Sequence, residues 1–159
     1  MLSYNEGRQA EEYFVKLRGN KIIRKATKEE DMNEHWDYLD EDLGRVDVKA
    51  AKRKYRGGPI DDTIWWELLT VKRPPKNKPM KGWGVPNKVD RVIAVKSPEG
   101  FYILDPADVY PDLKLKCKGF GRGEFLLHQR PNRGDLMTIL PLSYVKEKSK
   151  LLIKNEGIL

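Results

Sequence analysis

Apolar residues recur at helical spacing near the start of the chain. Ala10, Tyr13, Phe14 and Leu17 share one face, which predicts a helix over residues 6–18, ended by Gly19-Asn20. The period then changes to two. Ile22 and Ile23 begin a short extended piece, and residues 35–39 and 45–51 predict two strands joined by the polar, glycine-ended turn 40–44. Residues 64–71, Ile-Trp-Trp-Glu-Leu-Leu-Thr-Val, predict a third strand rich in β-formers. Residues 72–88 hold four of the ten prolines and read as a loop. Residues 90–96 and 101–105 flank Ser97-Pro98-Glu99-Gly100, a hairpin signal. A helical turn follows Pro106, and residues 124–129 and 136–140 predict another pair of strands. With no internal repeat or low-complexity linker, the class is α/β or α+β in one domain.

Composition narrows the setting. A chain of 159 residues suits a single domain and is long enough to bury ~70% of its unfolded surface. Cys117 is the one cysteine, so no internal disulfide is available and a reducing compartment is expected. Apolar runs fall far short of the ~20 residues of a membrane span. Charges appear by Glu6 and Arg8 without a following apolar stretch, so no secretory signal is expected. The expectation is a cytoplasmic protein with no membrane partner. One Cys with His35 and His128 cannot make a usual structural zinc site, and neither a P-loop nor a Gly-x-Ser-x-Gly elbow occurs.

Charge adds the first hint of a partner. Thirty-one Lys and Arg against 24 Asp and Glu give a net charge of +7, which favours polyanions such as nucleic acid. The distribution is uneven. Residues 29–42 carry eight acids and no Lys or Arg, whereas residues 71–96 carry eight bases and only Asp90 as an acid. Dense acids repel phosphate, so a protein that merely coats nucleic acid gains nothing from them. An enzyme holding a divalent cation against a phosphodiester needs both signs. Acids 29–31 are expected to decorate a solvated loop, whereas Asp37 falls in a predicted strand.

In the second strand Val46, Val48 and Ala50 alternate with Asp47, Lys49 and Ala51, so Asp47 and Lys49 share one face. A hairpin with a short turn brings Asp37 alongside Asp47. Two carboxylates at that distance repel unless a cation lies between them, so the pair reads as a Mg²⁺ (or Mn²⁺) site. Lys49 then lies beside the attacking water, where an ammonium orients the nucleophile and offsets charge on the phosphoryl oxygens. Glu11 or Glu12 can add a carboxylate from the first helix. Glu11 is preferred because it borders the apolar face, while Glu12 points towards solvent.

The ordered set Glu11, Asp37, Asp47-Val48-Lys49 resembles the PD-(D/E)XK nuclease superfamily, whose pattern is a helix with Glu, a strand with Asp, and a strand with Asp or Glu, any residue, and Lys. The helix start Gly7-Arg8-Gln9-Ala10-Glu11 is similar to Holliday-junction-resolvase-like members, and Gly82-Trp83…Val89-Asp90-Arg91-Val92-Ile93 to small phage-type members. The resemblance covers about residues 7–110, leaving a basic C-terminal β extension over about 111–159. It implies a restriction-endonuclease-like α/β fold, an N-terminal helix followed by a mixed β-sheet of hairpins with a flanking helix. It also implies metal ligation by Asp37, Asp47 and the Val48 carbonyl, with Glu11 and Lys49 completing the catalytic set. Glu67 falls where some members carry an extra Gln or Glu near the metal; a strand acid facing solvent is the alternative. Trp36 stands where the family pattern has proline, and the proline-rich 72–88 cannot form the helix that often follows the third strand. Asp112-Leu113-Lys114 repeats the tripeptide, even behind Pro111, but lacks strand alternation.

Lys52, Arg53, Lys54 and Arg56 follow the tripeptide and suit phosphates flanking a scissile bond, as do Lys72 and Arg73 in the basic loop. Trp83, between two glycines, suits either stacking on an unpaired base or packing over a strand. His35 reads as structural. The expected function is metal-dependent hydrolysis of DNA phosphodiesters. The alternatives are a nucleic-acid-binding module of the same fold with little turnover, and an RNA-directed nuclease. Junction resolution would require a homodimer.

Overall fold

The computed structural model describes residues 2–50, 63–71, 79–129 and 135–155. Helix α1 (Leu2–Arg18) leads through a 3₁₀ turn at Gly19–Lys21 into β1 (Ile22–Lys25), followed by α2 (Lys28–Glu34), β2 (Tyr38–Asp40) and β3 (Gly44–Lys49). Next come β4 (Thr63–Val71), β5 (Pro79–Lys81), β6 (Val92–Ser97), β7 (Gly100–Leu104) and α3 (Pro106–Lys116). The chain ends with β8 (His128–Gln129), β9 (Leu136–Pro141), α4 (Leu142–Lys148) and β10 (Leu151–Lys154).

Two sheets result, and the fold is mixed α/β. The first has six strands in the order β1-β2-β3-β6-β7-β10, antiparallel throughout except for the parallel pair β3–β6. The second, antiparallel, runs β5-β4-β9-β8. Alternation along β3 and β6 sorts side chains to two cores. Val46, Val48 and Ala94 pack with Ala10 and Phe14 of α1, while Ile93 and Val95 pack with Ile64, Trp66 and Leu68 of β4 and with α3 and α4. Thus α1 covers one face of the first sheet and the second sheet lies towards the other. Asp47 pairs in register with Ile93, and Lys49 with Val95, which sets both on the side of the second sheet.

One buried ion pair fixes α1 to the hairpin that follows. Asp40 is buried at the end of β2 and accepts both arms of the Arg18 guanidinium, at 2.7 and 2.9 Å, and the amides of Asp42 and Leu43. A fully hydrogen-bonded buried carboxylate is the condition under which such a charge is tolerated. It holds the turn that aims β3 under the helix carrying Glu11.

Several expectations are corrected. Residues 29–31 lie not on a loop but in α2, whose N-terminus is closed by a capping box between Thr27 and Glu30. The strand expected over 35–39 begins only at Tyr38, because His35 takes a left-handed conformation (φ 58°) that ends α2, and Trp36 turns inward to become fully buried. The third strand does not extend the sheet of the first two. As β4 it leads the second sheet, where Trp66 is buried and Leu69 meets Leu136 across a bulge. The loop 72–88 contains β5, the turn after Pro106 is the full helix α3, and of 124–129 only β8 is regular. The stretch beyond 110 supplies β10 to the first sheet and β8 and β9 to the second. Asp112 stands on α3, its carboxylate taken by Tyr144 at 2.9 Å and Lys148 at 2.8 Å. Among the described residues, no helix is long and apolar enough to cross a membrane.

Candidate active site

The paired register of β2 and β3 ends at Tyr38 opposite Val46, and Asp37, the residue before, lies close enough to β3 for the Asp47 charge to act on it. The Asp37 amide donates to the Val46 carbonyl at 2.8 Å, and its own carbonyl accepts from Ala26 at 2.7 Å. The Asp37 carboxylate then accepts the Val48 amide at 2.8 Å. Both backbone groups of an extended residue point to the same side, so the Val48 carbonyl also opens towards Asp37.

Asp47 is 3% exposed, and its Oδ1 lies 3.3 Å from the Lys49 ammonium. Its Oδ2 has no hydrogen-bond partner, one of three such buried side-chain atoms among the described residues. An unsatisfied buried acceptor costs about 1–3 kcal/mol, more when charged, so this oxygen stands out energetically. Burial and the neighbouring Asp47 charge push the Asp37 carboxyl up to about 8, against the opposing pull of Lys49 and the Val48 amide. Burial draws the Lys49 ammonium down, but Asp47 and Asp37 outweigh it and hold it above the ordinary lysine value.

Three further carboxylates surround this pair. Glu11, half-buried on α1, is raised by burial, with Lys25 opposing and Asp31 and Asp47 adding to the rise. Asp31, at the rim on α2, is raised by the protein around it and then by Asp47. Glu11, Lys25, Thr27, Lys28, Asp31 and Asp37 line one cleft of about 430 Å³. Glu67 of β4 sits behind Lys49, adding to the field that keeps it charged, and its carboxylate faces the Trp83 amide at 3.4 Å. Glu12 instead is spent on Arg8, on the exposed side of α1.

The folded chain thus gathers Glu11 of α1, Asp37 just before β2, Asp47, Val48 and Lys49 of β3, and Glu67 of β4. Trp83 joins them, but its indole rests on Trp66 and under Lys49. Lys52, Arg53, Lys54, Arg56, Lys72 and Arg73 lie outside the described residues. His35 is half-buried, and burial together with Arg91 keeps its imidazole below the usual value, which favours the neutral ring. Two contributors escape a reading of the sequence. Asp31 hides in a charge run, and the signal for it is Thr27-Lys28-Glu29-Glu30, a capping pattern that starts a helix. Arg91, 6% exposed, donates to the carbonyls of Glu34, Trp83 and Val85; the stretch around it carries part of the family resemblance, but nothing in the sequence gives it this role.

No family model, curated protein or solved structure matches the chain. Among the described residues, no group of three or more His, Cys, Asp or Glu side chains is placed to hold a metal ion on its own. Any cation here would rest on two carboxylates completed by main-chain oxygen or water.

Proposed function

We propose that the protein is a metal-dependent nuclease that hydrolyses DNA phosphodiesters, built on a restriction-endonuclease-like core. The observation that carries this reading is the buried Asp47 carboxylate, with one oxygen unpartnered, beside the Lys49 ammonium and next to Val48, whose amide the Asp37 carboxylate accepts. Hard oxygen donors of this kind fit Mg²⁺ or Mn²⁺, and the orphaned Oδ2 is the donor such an ion would satisfy. Asp37, Asp47 and the Val48 carbonyl would hold it. The bound ion supplies Lewis-acid polarisation of the phosphate and a water acidified towards neutral pH.

The remaining work falls to side chains. Lys49 keeps its proton, so it presents a fixed positive charge to the phosphoryl oxygens as they gain negative charge, and an N–H to orient the nucleophile. Asp37 anchors Val48, which fixes the spacing of the two carboxylates. Glu11 faces the cleft as an acceptor for water, and Lys25 and Lys28 line its wall, where phosphates on either side of the scissile bond would pass.

The test is cleavage of supercoiled, linear and branched DNA with Mg²⁺ or Mn²⁺. Wild-type protein cuts, chelator stops it, and Asp47→Ala and Lys49→Ala lose on the order of 10²–10³ or more in rate while still binding. One observation favours a second reading. Lys49 already partners Asp47, so part of the buried charge is compensated without an ion. A binding module of this fold predicts DNA binding with no cleavage of any topology by either metal, and competition with RNA decides the polymer.

A further inference from the structure

We propose that Trp83 is a positioning residue for Lys49, the indole face forming one wall of the ammonium's seat, rather than a platform for nucleic-acid bases. The proposal rests on the nuclease reading for its catalytic meaning but on geometry for the contact itself. The Lys49 Nζ lies 4.6 Å from the Trp83 ring centroid and 3.3 Å from Asp47 Oδ1, so it is held between a π-face and a carboxylate. A lysine side chain has four rotatable bonds and stays in one rotamer only when both sides of its end are occupied.

The ring is itself held from several directions. Its centroid is 4.9 Å from that of Trp66, whose Nε1 donates to the Gly84 carbonyl at 2.8 Å. The Gly84 amide donates to the Glu67 carbonyl at 2.8 Å and the Gly82 amide to that of Leu68 at 2.9 Å, so the turn lies directly on β4. A Cβ at Gly82 would fall 2.6 Å from the Glu67 carbonyl oxygen, and one at Gly84 would strike the Trp66 indole. Only glycine on both sides lets the turn approach this closely. Arg91, buried and without an ion pair among the described residues, donates to the Trp83 and Val85 carbonyls at 2.5 and 3.1 Å. A buried guanidinium directed at main-chain oxygens holds a loop in place, and here it holds the loop that carries the indole. The turn laid on the second sheet therefore reaches Lys49 through this aromatic ring, in addition to the charge of Glu67. One face of the indole is taken by Lys49 and the ring is braced against Trp66, which ties it to the ammonium rather than to a passing base.

Two measurements decide the matter. In wild-type protein, NMR places the Lys49 ε-methylene protons upfield of their ordinary position, assigned by their loss in Lys49→Met. Kinetically, Trp83→Leu lowers kcat roughly tenfold with the DNA Kd unchanged, Trp83→Phe retains most of the rate, and Trp83→Leu adds nothing once Lys49 is Met. Lys49 ε-protons at their ordinary position overturn the proposal whatever the kinetics of the Trp83 variants. A fall in DNA affinity with kcat intact, the signature of base stacking, also overturns it. If wild-type protein never cleaves but the upfield shift is present, the catalytic role falls with the nuclease reading; a missing shift in an active enzyme removes the positioning role alone.

Discussion

The same three-residue pattern occurs twice, as Asp47-Val48-Lys49 and as Asp112-Leu113-Lys114, and the fold treats the two in opposite ways. On β3, residues two apart share a face, so Asp47 and Lys49 meet at 3.3 Å, the carboxylate buried and the lysine partly so. On α3, residues two apart diverge by ~200°, so Lys114 turns away to lie over Tyr110 and Asp112 is left to other partners. Those partners satisfy it. Lys148 and Tyr144 both bind Asp112 and hold its carboxyl below the usual range, whereas burial, and after it the Asp47 charge, drives Asp37 up to about 8. The Asp112 carboxylate is satisfied by its partners, whereas Asp47 keeps one buried oxygen without a partner. Period, not composition, separates them.

Breaking each copy in turn should expose the difference. The largest effect is on turnover. Asp47→Asn and Lys49→Met reduce metal-dependent DNA cleavage by on the order of 10²–10³ or more, while Asp112→Asn leaves it unchanged, as gel assays of nicked and linear product would register.

Next comes the pH dependence of stability, where the two copies have opposite signs. Asp37 has a folded-state pKa above its ordinary 3.8, so the folded protein holds the proton longer than the unfolded chain. Its contribution is fully present below 3.8 and is lost as pH rises through about 8, on the order of a few kcal/mol. Asp112 is depressed, so its contribution is present above the unfolded pKa and lost as pH falls through the folded one. Urea melts across this range should show Asp37→Asn flattening the fall in stability between about pH 4 and pH 8, and Asp112→Asn flattening the loss at still lower pH.

Metal is the third probe. Mn²⁺ or Mg²⁺ at about a hundredfold over its Kd should stabilise the wild-type protein by about 2.7 kcal/mol by mass action, read as a rise in Tm. Asp47→Asn cancels that rise and Asp112→Asn keeps it. The smallest effect is that of Lys114→Ala, exposed on α3, which should stay within about 0.5 kcal/mol in denaturant melts and leave cleavage unaltered.

Local periodicity carried part of this structure into the sequence. The helix bearing Glu11, the hairpin that sets Asp37 against Asp47, and the 92–104 hairpin all follow from apolar spacing and turn residues. Asp37 reached its place by another route, since the strand starts one residue later and a left-handed His35 redirects the chain. α2 was hidden because it buries no side chain; its acids mask the capping box that starts it. The strands of the second sheet were legible as β4 and the β8–β9 pair, but their union was not, because β4 finds β9 across some seventy residues and nothing local names that partner. With the sheet went Trp83, whose neighbours Trp66 and Lys49 come from different sheets.

The most direct test is a crystal grown with saturating Mn²⁺ and measured for anomalous scattering. The account predicts one strong peak within bonding distance of the Asp37 and Asp47 carboxylates, lost in Asp47→Asn. A well-ordered site there with Lys49 still on Asp47 and no metal, or a peak elsewhere on the protein, would contradict it.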